Sequence, residues 1–484
     1  MQPKRPIALS IAGTDPTAGA GIQADLKTFS GLDVFGCTVI TAVNAQNTQG
    51  VQHVELLDAA LVQKQLDSVL SDCPPAVVKL GQLGSAQSLD VVAQALLNVN
   101  APIVCDPVLR STGGVALFER SGNETFCEQI LPLTSILTPN ISEAEELTGL
   151  SISSEQSVIQ AAHILLGMGA KAILLKGGHA TGALSADYWT DGQTSCWINS
   201  PRLATPHTHG GGCTLSSAIA AGLAHALAPL DAVILAKAYV NQGLLHGGGI
   251  GHGRGPLAHL GWPDRPEYMP WITPHPAHTT ARLAFPPIGE LGLYPIVDRA
   301  EWIARLAPLG VNLIQLRPKD LAGREREREL LRGVELSQQH NVRLIINDHW
   351  RFAIEHRTFG VHLGQDDLPD ADLNAIAAAG LRLGISTHGY AEIATALAVL
   401  PSYIAIGTVY QSTSKQFTHI PIGLPTFARL RKLIEQPVVA IGGITLERAP
   451  AVLAAGADGI SVISDLTKAD DISSRCALWQ RLWM

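Results

Sequence analysis

Eight short apolar runs follow one another between residues 291 and 463, and they narrow the fold more than any other feature of the chain. They are Leu291–Val297, Leu313–Leu316, Arg343–Ile346, Gly360–Leu363, Arg382–Ile385, Tyr403–Ile406, Val438–Ile441 and Gly459–Ile463. Their length suits strands buried on both faces, and helically spaced segments lie between them, including Ala300–Leu309, Arg324–Gln339, Asp372–Ala379 and Leu424–Ile434. Eight such β/α repeats predict a (βα)8 TIM barrel. An open doubly wound sheet shares this period. The barrel makes a further demand: functional groups must gather where strands end, because the βα loops build its active face.

The residues at the end of each run meet that demand. In order they are Asp298; Gln315, Arg317 and Lys319; Asn347 and Asp348; Gln365, Asp366 and Asp367; Ser386; the loop Ser412-Thr413-Ser414-Lys415; Gly442 and Gly443; and Ser464. Glycines after the seventh run and a serine after the eighth occupy the usual phosphate site of such barrels. Arg317, Lys319 and Lys415 supply anion contacts, while Asp348 and Asp367 offer oxygen ligands to a hard divalent cation. Taken singly, each residue would be a solvated loop charge; their repetition on one face argues for a site.

The first half has a different pattern. Apolar runs at Ile7–Ala12, Ala76–Leu80, Ile103–Val104, Ile136–Thr138 and Ala172–Lys176 alternate with helical segments such as Ala59–Leu70 and Ser88–Leu97. This predicts an α/β domain with a mostly parallel sheet and helices on both faces. Within it, Gly210, Gly211 and Gly212 precede Leu215, Ala218, Ile219 and Gly222 at helical spacing. Glycines at a helix start leave N–H groups free to surround an anion, which the macrodipole favours; a flexible loop is the other reading. Residues 263–288, rich in proline, are read as a linker between domains at 1–262 and 289–484.

Composition excludes several function classes. Hydrophobic residues make up 46% and charged ones 16%, which fits large buried cores rather than a disordered chain. A net charge of -8 argues against nucleic acid as a partner. No apolar run approaches a membrane span, and seven cysteines without paired spacing speak for a reducing compartment, hence a cytoplasmic protein without disulfides or zinc. A homo-oligomer is left open.

The motifs of residues 1 to about 262 resemble, in order, the hydroxymethylpyrimidine and hydroxymethylpyrimidine-phosphate kinases of the ribokinase-like fold. The matching stretches are Ile11 to Pro16, Gly19 to Lys27, Thr41 to Thr48, Asp106 to Val108, Thr138 to Glu145, Lys176 to His179 and His209 to Ser216. The resemblance implies ATP and Mg2+ as requirements. It assigns Gly13, Asp25 and Gln46 to the pyrimidine, and Asp106, Asn140, Glu143 and Lys176 to ATP and Mg2+. Gly210, Gly211, Gly212 and Cys213 are assigned to phosphoryl transfer. Gly13 would let a flat ring approach the backbone, and the Gln46 amide can donate to and accept from an aminopyrimidine edge. Asn140 and Glu143, three apart, suit a shared Mg2+ assembly and equally a capping box. Cys213, at a helix start, is expected to have its thiolate favoured and to accept the substrate hydroxyl proton; a small buried hydrophobe is the other reading. Three positions depart from the family pattern: Gly211 stands for a usual Thr, Gln82 for a Met of the pyrimidine pocket, and His207 for an Asn. The glycine-rich stretch Gly247 to Gly255 is read as a loop near the nucleotide.

Residues from about Leu291 onward resemble thiamine-phosphate synthase, through Gln315 to Asp320, Ile346 to Asp348, Gly360 to Leu368, Gly384 to His388, Ala440 to Ile444 and Ile463-Ser464. The resemblance implies that Gln315, Leu316, Arg317, Pro318, Lys319, Asn347, Ser386 and Lys415 bind the pyrimidine diphosphate. It likewise gives Asp348 and Asp367 to Mg2+, and Ser412, Thr413, Ser414, Gly443, Ile463 and Ser464 to the thiazole phosphate. The whole chain then reads as a bifunctional transferase of thiamine biosynthesis acting on small molecules. The alternatives are a pyridoxal-type kinase fused to the same barrel, and a kinase-like module that binds ligand without turnover, which the departures at Gly211 and Gln82 would suit.

Overall fold

The computed structural model describes residues 5–109, 120–177, 182–411 and 420–483. The chain forms two compact units, Met1–Pro263 with Tyr268–Thr280, and Asp264–Glu267 with Ala281–Met484.

The first unit is built on β1 (Ile7–Ala12), β2 (Phe35–Ile40), the hairpin β3 (Ala42–Asn47) and β4 (Gly50–Leu56), β5 (Val77–Leu80), β6 (Ile103–Cys105), β7 (Ile136–Leu137), β8 (Ile173–Leu175), β9 (Leu184–Thr190), β10 (Ser195–Pro201) and β11 (Trp271–Thr273). All but the hairpin join one sheet in the order β11-β10-β9-β8-β7-β6-β5-β1-β2. It is parallel from β2 to β8 and antiparallel from β8 to β11, so the mostly parallel α/β expectation is borne out. The apolar runs of the sequence are its inner strands, and Leu9, Ile11, Val78, Leu80 and Leu175 bury against Val62, Leu66, Leu89, Val92 and Leu165 of the covering helices.

One strand lies within the stretch expected to be a structureless linker. Trp271–Thr273 pairs with β10, and Asn199 Nδ2 donates to Thr273 Oγ1 at 2.8 Å. Pro270 and Pro274 bound this strand, and the sheet edge is where neighbouring prolines cost no ladder bond.

The second unit holds β12 (Gly292–Val297), β13 (Leu313–Leu316), β14 (Arg343–Asn347), β15 (Gly360–Leu363), β16 (Arg382–Thr387), β17 (Tyr403–Gly407), β18 (Val438–Ile441) and β19 (Gly459–Val462). They form a closed parallel barrel in sequence order, β19 pairing back to β12. This is the TIM barrel that the eight runs predicted. Tyr294, Leu313, Ile345, Tyr403, Ala405 and Val439 pack inside it. Gly384 of β16 is required there, because a Cβ would overlap the Tyr403 ring. Among the described residues no helix is long and apolar enough to cross a membrane.

Candidate active sites

In the first unit the glycine turn is held in place from both sides. Gly210 starts the helix Gly211–Ala224 with a φ of 79°, and a Cβ on it would overlap the carbonyl of Gly19. The loop after β1 therefore packs directly on the turn. Asp15 fastens the two, accepting from the N–H groups of Gly19 (3.1 Å) and Ala20 (2.8 Å) and pairing with His209 Nε2 (2.9 Å). Burial alone would raise the Asp15 carboxyl, but the bonds from His209, Gln46 and Thr17 outweigh it and hold the group far below the usual carboxylate range. The Gly247 to Gly255 stretch closes against the same region, with His209 N–H donating to Gly255 O (3.2 Å) and Arg254 N–H to Thr48 O (2.9 Å).

A cavity of about 1050 Å³ opens at this turn. It brings together Gly13, Gln46, Asp106, Asn140, Glu143, Lys176, Gly210, Gly211, Gly212 and Cys213. Gly212 keeps the turn open towards an ion pair: a Cβ there would stand 3.2 Å from Asp106 Oδ2 and 3.3 Å from Lys176 Nζ. Lys176 Nζ lies 2.7 Å from Asp106 Oδ1 and 4.0 Å from Glu143 Oε2. Burial opposes the Lys176 charge, yet the two carboxylates raise its pKa above that of a free lysine. Glu143, conversely, is pushed up to about 7 by burial, with Lys176 acting the other way. Asn140 and Glu143 do form the capping box of helix Ile141–Thr148, through Glu143 N–H to Asn140 Oδ1 (2.9 Å) and Asn140 N–H to Glu143 Oε2 (2.7 Å). The capping role and the cavity position coexist.

Three kinase expectations need correction. Asp25 does not reach the cavity. It is fully buried, its Oδ2 accepting from Ser10 Oγ (2.6 Å) and Lys79 Nζ (2.9 Å) and its Oδ1 from Ser217 Oγ (2.6 Å). A buried carboxylate must be paired, and these bonds tie helix Gly211–Ala224 to β1 and β5. The Cys213 thiolate is not favoured as expected: burial pushes the thiol up to about 11 despite the opposing Lys79 ammonium, so desolvation outweighs the helix start. At Gly13, the space a side chain would fill holds the Gln82 amide instead of staying free for a ring. Sequence reading also missed Lys79, a fully buried ammonium bordering the cavity, because it is embedded in an apolar strand.

In the barrel the described candidates lie in the last residues of the strands or just after them. Asp348, just after β14, has a φ of 63° and donates its N–H to His362 O at 2.9 Å, a left-handed backbone that few residues but Asn, Asp and Gly accept. Its carboxylate is 3.7 Å from Lys319 Nζ, and burial together with Asp367 raises its pKa. Asp367 Oδ2 accepts from Gly364 N–H (3.1 Å), and Gln365 Nε2 donates to Ser386 O (2.7 Å). Gly443, with a φ of 61°, follows β18, and Ile463 and Ser464 follow β19. Ser412, Thr413, Ser414 and Lys415 lie outside the described residues, as does His179.

One barrel residue does not present its side chain as expected. Strand alternation sends Leu316 outward, where its Cδ2 occupies the space beside Gly333 of helix Gly323–His340; only its backbone can serve the rim. Gln315 points inward and begins a buried chain: Gln315 Nε2 to Tyr294 OH (3.0 Å), Tyr294 OH with Tyr403 OH (2.7 Å), Tyr403 OH with His362 Nδ1 (2.9 Å), and His362 Nε2 with Ser386 Oγ (2.8 Å). Burial pushes His362 down to about 4, so this imidazole is neutral at physiological pH. The sequence signal for the chain was weak, since its aromatic members read as ordinary strand residues. Among the described residues no group of three or more His, Cys, Asp or Glu side chains is placed to hold a metal.

Two family models match, phosphomethylpyrimidine kinase over residues 15–258 and thiamine monophosphate synthase over residues 293–466. The chloroplastic thiamine biosynthetic bifunctional enzyme of Arabidopsis thaliana is 35% identical over 96% of this chain and 91% of its own length. A hydroxymethylpyrimidine/phosphomethylpyrimidine kinase of Synechococcus elongatus is 46% identical over 53% of this chain and 97% of its own. Among solved structures, the pyridoxal kinase of Staphylococcus aureus in complex with AMP-PCP matches with a TM-score of 0.52 at 33% identity, covering 56% of this chain and 99% of that one. With a ribokinase-like unit followed by a closed barrel, and a relative that aligns across both, the chain belongs to the bifunctional enzymes of thiamine biosynthesis, a phosphomethylpyrimidine kinase domain joined to a thiamine monophosphate synthase domain.

Proposed function

We propose that the first domain phosphorylates 4-amino-5-hydroxymethyl-2-methylpyrimidine twice from ATP. The barrel then joins the diphosphate to 4-methyl-5-(2-phosphoethyl)thiazole, releasing pyrophosphate and thiamine phosphate. The observation that carries the kinase reading is the glycine turn opening onto the Asp106–Lys176 pair in one cavity. The N–H groups of Gly210 to Gly212 and the Lys176 ammonium stabilise charge on the transferring phosphoryl group, where positioning and electrostatics supply most of the catalysis. Cys213 is the residue we assign to the hydroxyl proton. With burial raising its thiol, the thiolate depends on Lys79, the buried cation that already opposes that shift.

The donors fit a hard cation. Asn140 and Glu143 offer oxygens on the cavity wall, and Asp367 raises Asp348, a repulsion that a cation relieves. When bound, Mg2+ would neutralise charge on the phosphate oxygens that transfer or leave. In the barrel, Arg317, Lys319 and Lys415 are assigned to the departing pyrophosphate, and Gly443 and Ser464 to the thiazole phosphate. The cation left on the electron-rich pyrimidine is captured by the thiazole nitrogen, so no protein nucleophile is needed.

The test supplies the full chain with the pyrimidine alcohol, ATP, Mg2+ and thiazole phosphate and follows products by mass. Wild type should form thiamine phosphate, whereas Asp348→Ala with Asp367→Ala should accumulate the pyrimidine diphosphate; full coupling in that variant would remove the barrel assignment. The Staphylococcus aureus kinase match favours a second reading, in which pyridoxal is the kinase substrate, and competition between the two alcohols separates them. We assign the protein to the cytoplasm from its seven free cysteines.

A further inference from the structure

Five polar side chains meet inside the barrel, where an apolar filling would serve the fold as well. Tyr294 of β12, Gln315 of β13, His362 of β15 and Tyr403 of β17 are buried, and Ser386 of β16 is half-buried. Replacing both partners of a buried hydrogen bond by apolar groups of the same shape is close to neutral for stability, so packing gives no reason for hydroxyls and an imidazole here. The reason lies in how they are joined. They form an unbroken series of hydrogen bonds, and its direction follows from the hydrogens each group owns. Gln315 Nε2 donates to Tyr294 OH (3.0 Å), whose one hydrogen then has Tyr403 OH as its partner (2.7 Å). Tyr403 passes its own hydrogen to His362 Nδ1 (2.9 Å). A neutral imidazole whose Nδ1 accepts carries its hydrogen on Nε2, so His362 donates to Ser386 Oγ (2.8 Å). Ser386 is thereby an acceptor inside the barrel and keeps its own hydrogen for another partner.

We infer that Tyr294, Tyr403 and His362 are positioning residues of the synthase, which hold the Ser386 hydroxyl with its hydrogen free to donate to the pyrimidine diphosphate. The inference rests on the assignment of Ser386 to that substrate. The place of the series in the barrel fits this use. Ser386 stands next to the end of β16, its carbonyl held by Gln365 Nε2 (2.7 Å). The Arg317 guanidinium and the Asp367 carboxylate both act on the His362 ring, so the series ends beside the charged groups of the site. Gly384 leaves room for it, because a Cβ there would overlap the Tyr403 hydroxyl as well as its ring. A hydroxyl that rotates freely loses binding energy in being ordered, and this series orders it before the substrate arrives.

The test uses the full chain with preformed pyrimidine diphosphate and thiazole phosphate, and reads pyrophosphate release. Tyr403→Phe keeps the ring and cuts the series. It should raise the KM for the diphosphate by about tenfold, while kcat and the KM for thiazole phosphate stay within about twofold of wild type. Tyr294→Phe, which cuts the series one hydroxyl earlier, should move the same constant in the same direction. Ser386→Ala should raise it at least as far. Tyr403→Phe combined with Ser386→Ala should be no worse than Ser386→Ala alone, because a hydroxyl that acts through Ser386 then has nothing left to act on. Effects that multiply in the combined variant, or an equal loss of thiazole phosphate binding in Tyr403→Phe, would mark the hydroxyls as structural and overturn the inference; a wild-type KM in Tyr403→Phe would do the same. A wild-type KM in Ser386→Ala would instead defeat the assignment of Ser386 to the diphosphate, and the inference with it.

Discussion

Single residues of the glycine turn are under different constraints, although the sequence presents them alike. Gly210 combines a left-handed backbone with contact against Gly19, so Gly210→Ala should abolish kinase turnover and cost more than about 1 kcal/mol in a denaturation experiment. Gly211 is free of both: a Cβ would meet only Leu257 Cδ2, at 3.7 Å. Gly211→Thr should therefore fold with equal or greater stability and keep its kinase rate, as a thermal melt and an ADP-release assay would show. Cys213 yields a pH prediction. Its thiol is raised from 9.0 to about 11, so at pH 8 its thiolate fraction should be roughly a hundredfold below that of an unshifted cysteine. Iodoacetamide labelling of the Cys213 peptide, read by mass spectrometry, should be slow at pH 8 and accelerate as pH rises towards about 11. Fast labelling at pH 8 would contradict the burial argument.

Secondary-structure elements were legible in proportion to how evenly they are buried. β1, β5, β6 and β8 are buried nearly throughout and stand out as apolar runs, as do the eight barrel strands. In the hairpin, β3 alternates buried and exposed residues and β4 has none buried, and β11 is three residues between prolines; neither makes an apolar run, so neither was anticipated. Alternation also explains the mistaken side chain, that of Leu316. A motif quoted as consecutive residues, Gln315-Leu316-Arg317, is divided by the strand into an inward amide, an outward leucine and a rim cation. Gly384 shows the same logic inside the barrel. Gly384→Ala would collide with the Tyr403 ring and disturb its bond to His362, and overpacking of this kind costs about 1–3 kcal/mol. The synthase unit should melt earlier and lose activity.

For the molecule as a whole, the two units carry separate reactions in separate cores. A lesion in one turn should therefore leave the other reaction intact: Gly210→Ala, supplied with preformed pyrimidine diphosphate, should make thiamine phosphate at the wild-type rate in a coupled pyrophosphate assay. The sequence by itself determined the fold class of both units, the order of the barrel strands and several of the residues that line the kinase cavity. Those features follow from periodicity and from motifs whose spacing survives without coordinates. Only the tertiary structure decided which side chains face the cavities and what their surroundings do to them. It withdrew Asp25 into a buried network, pointed Leu316 away from the rim, raised the Cys213 thiol and set Gln82 against Asn44. Burial and pairing depend on neighbours far apart along the chain, such as Asp25 with Lys79 and Ser217, and no local pattern records them.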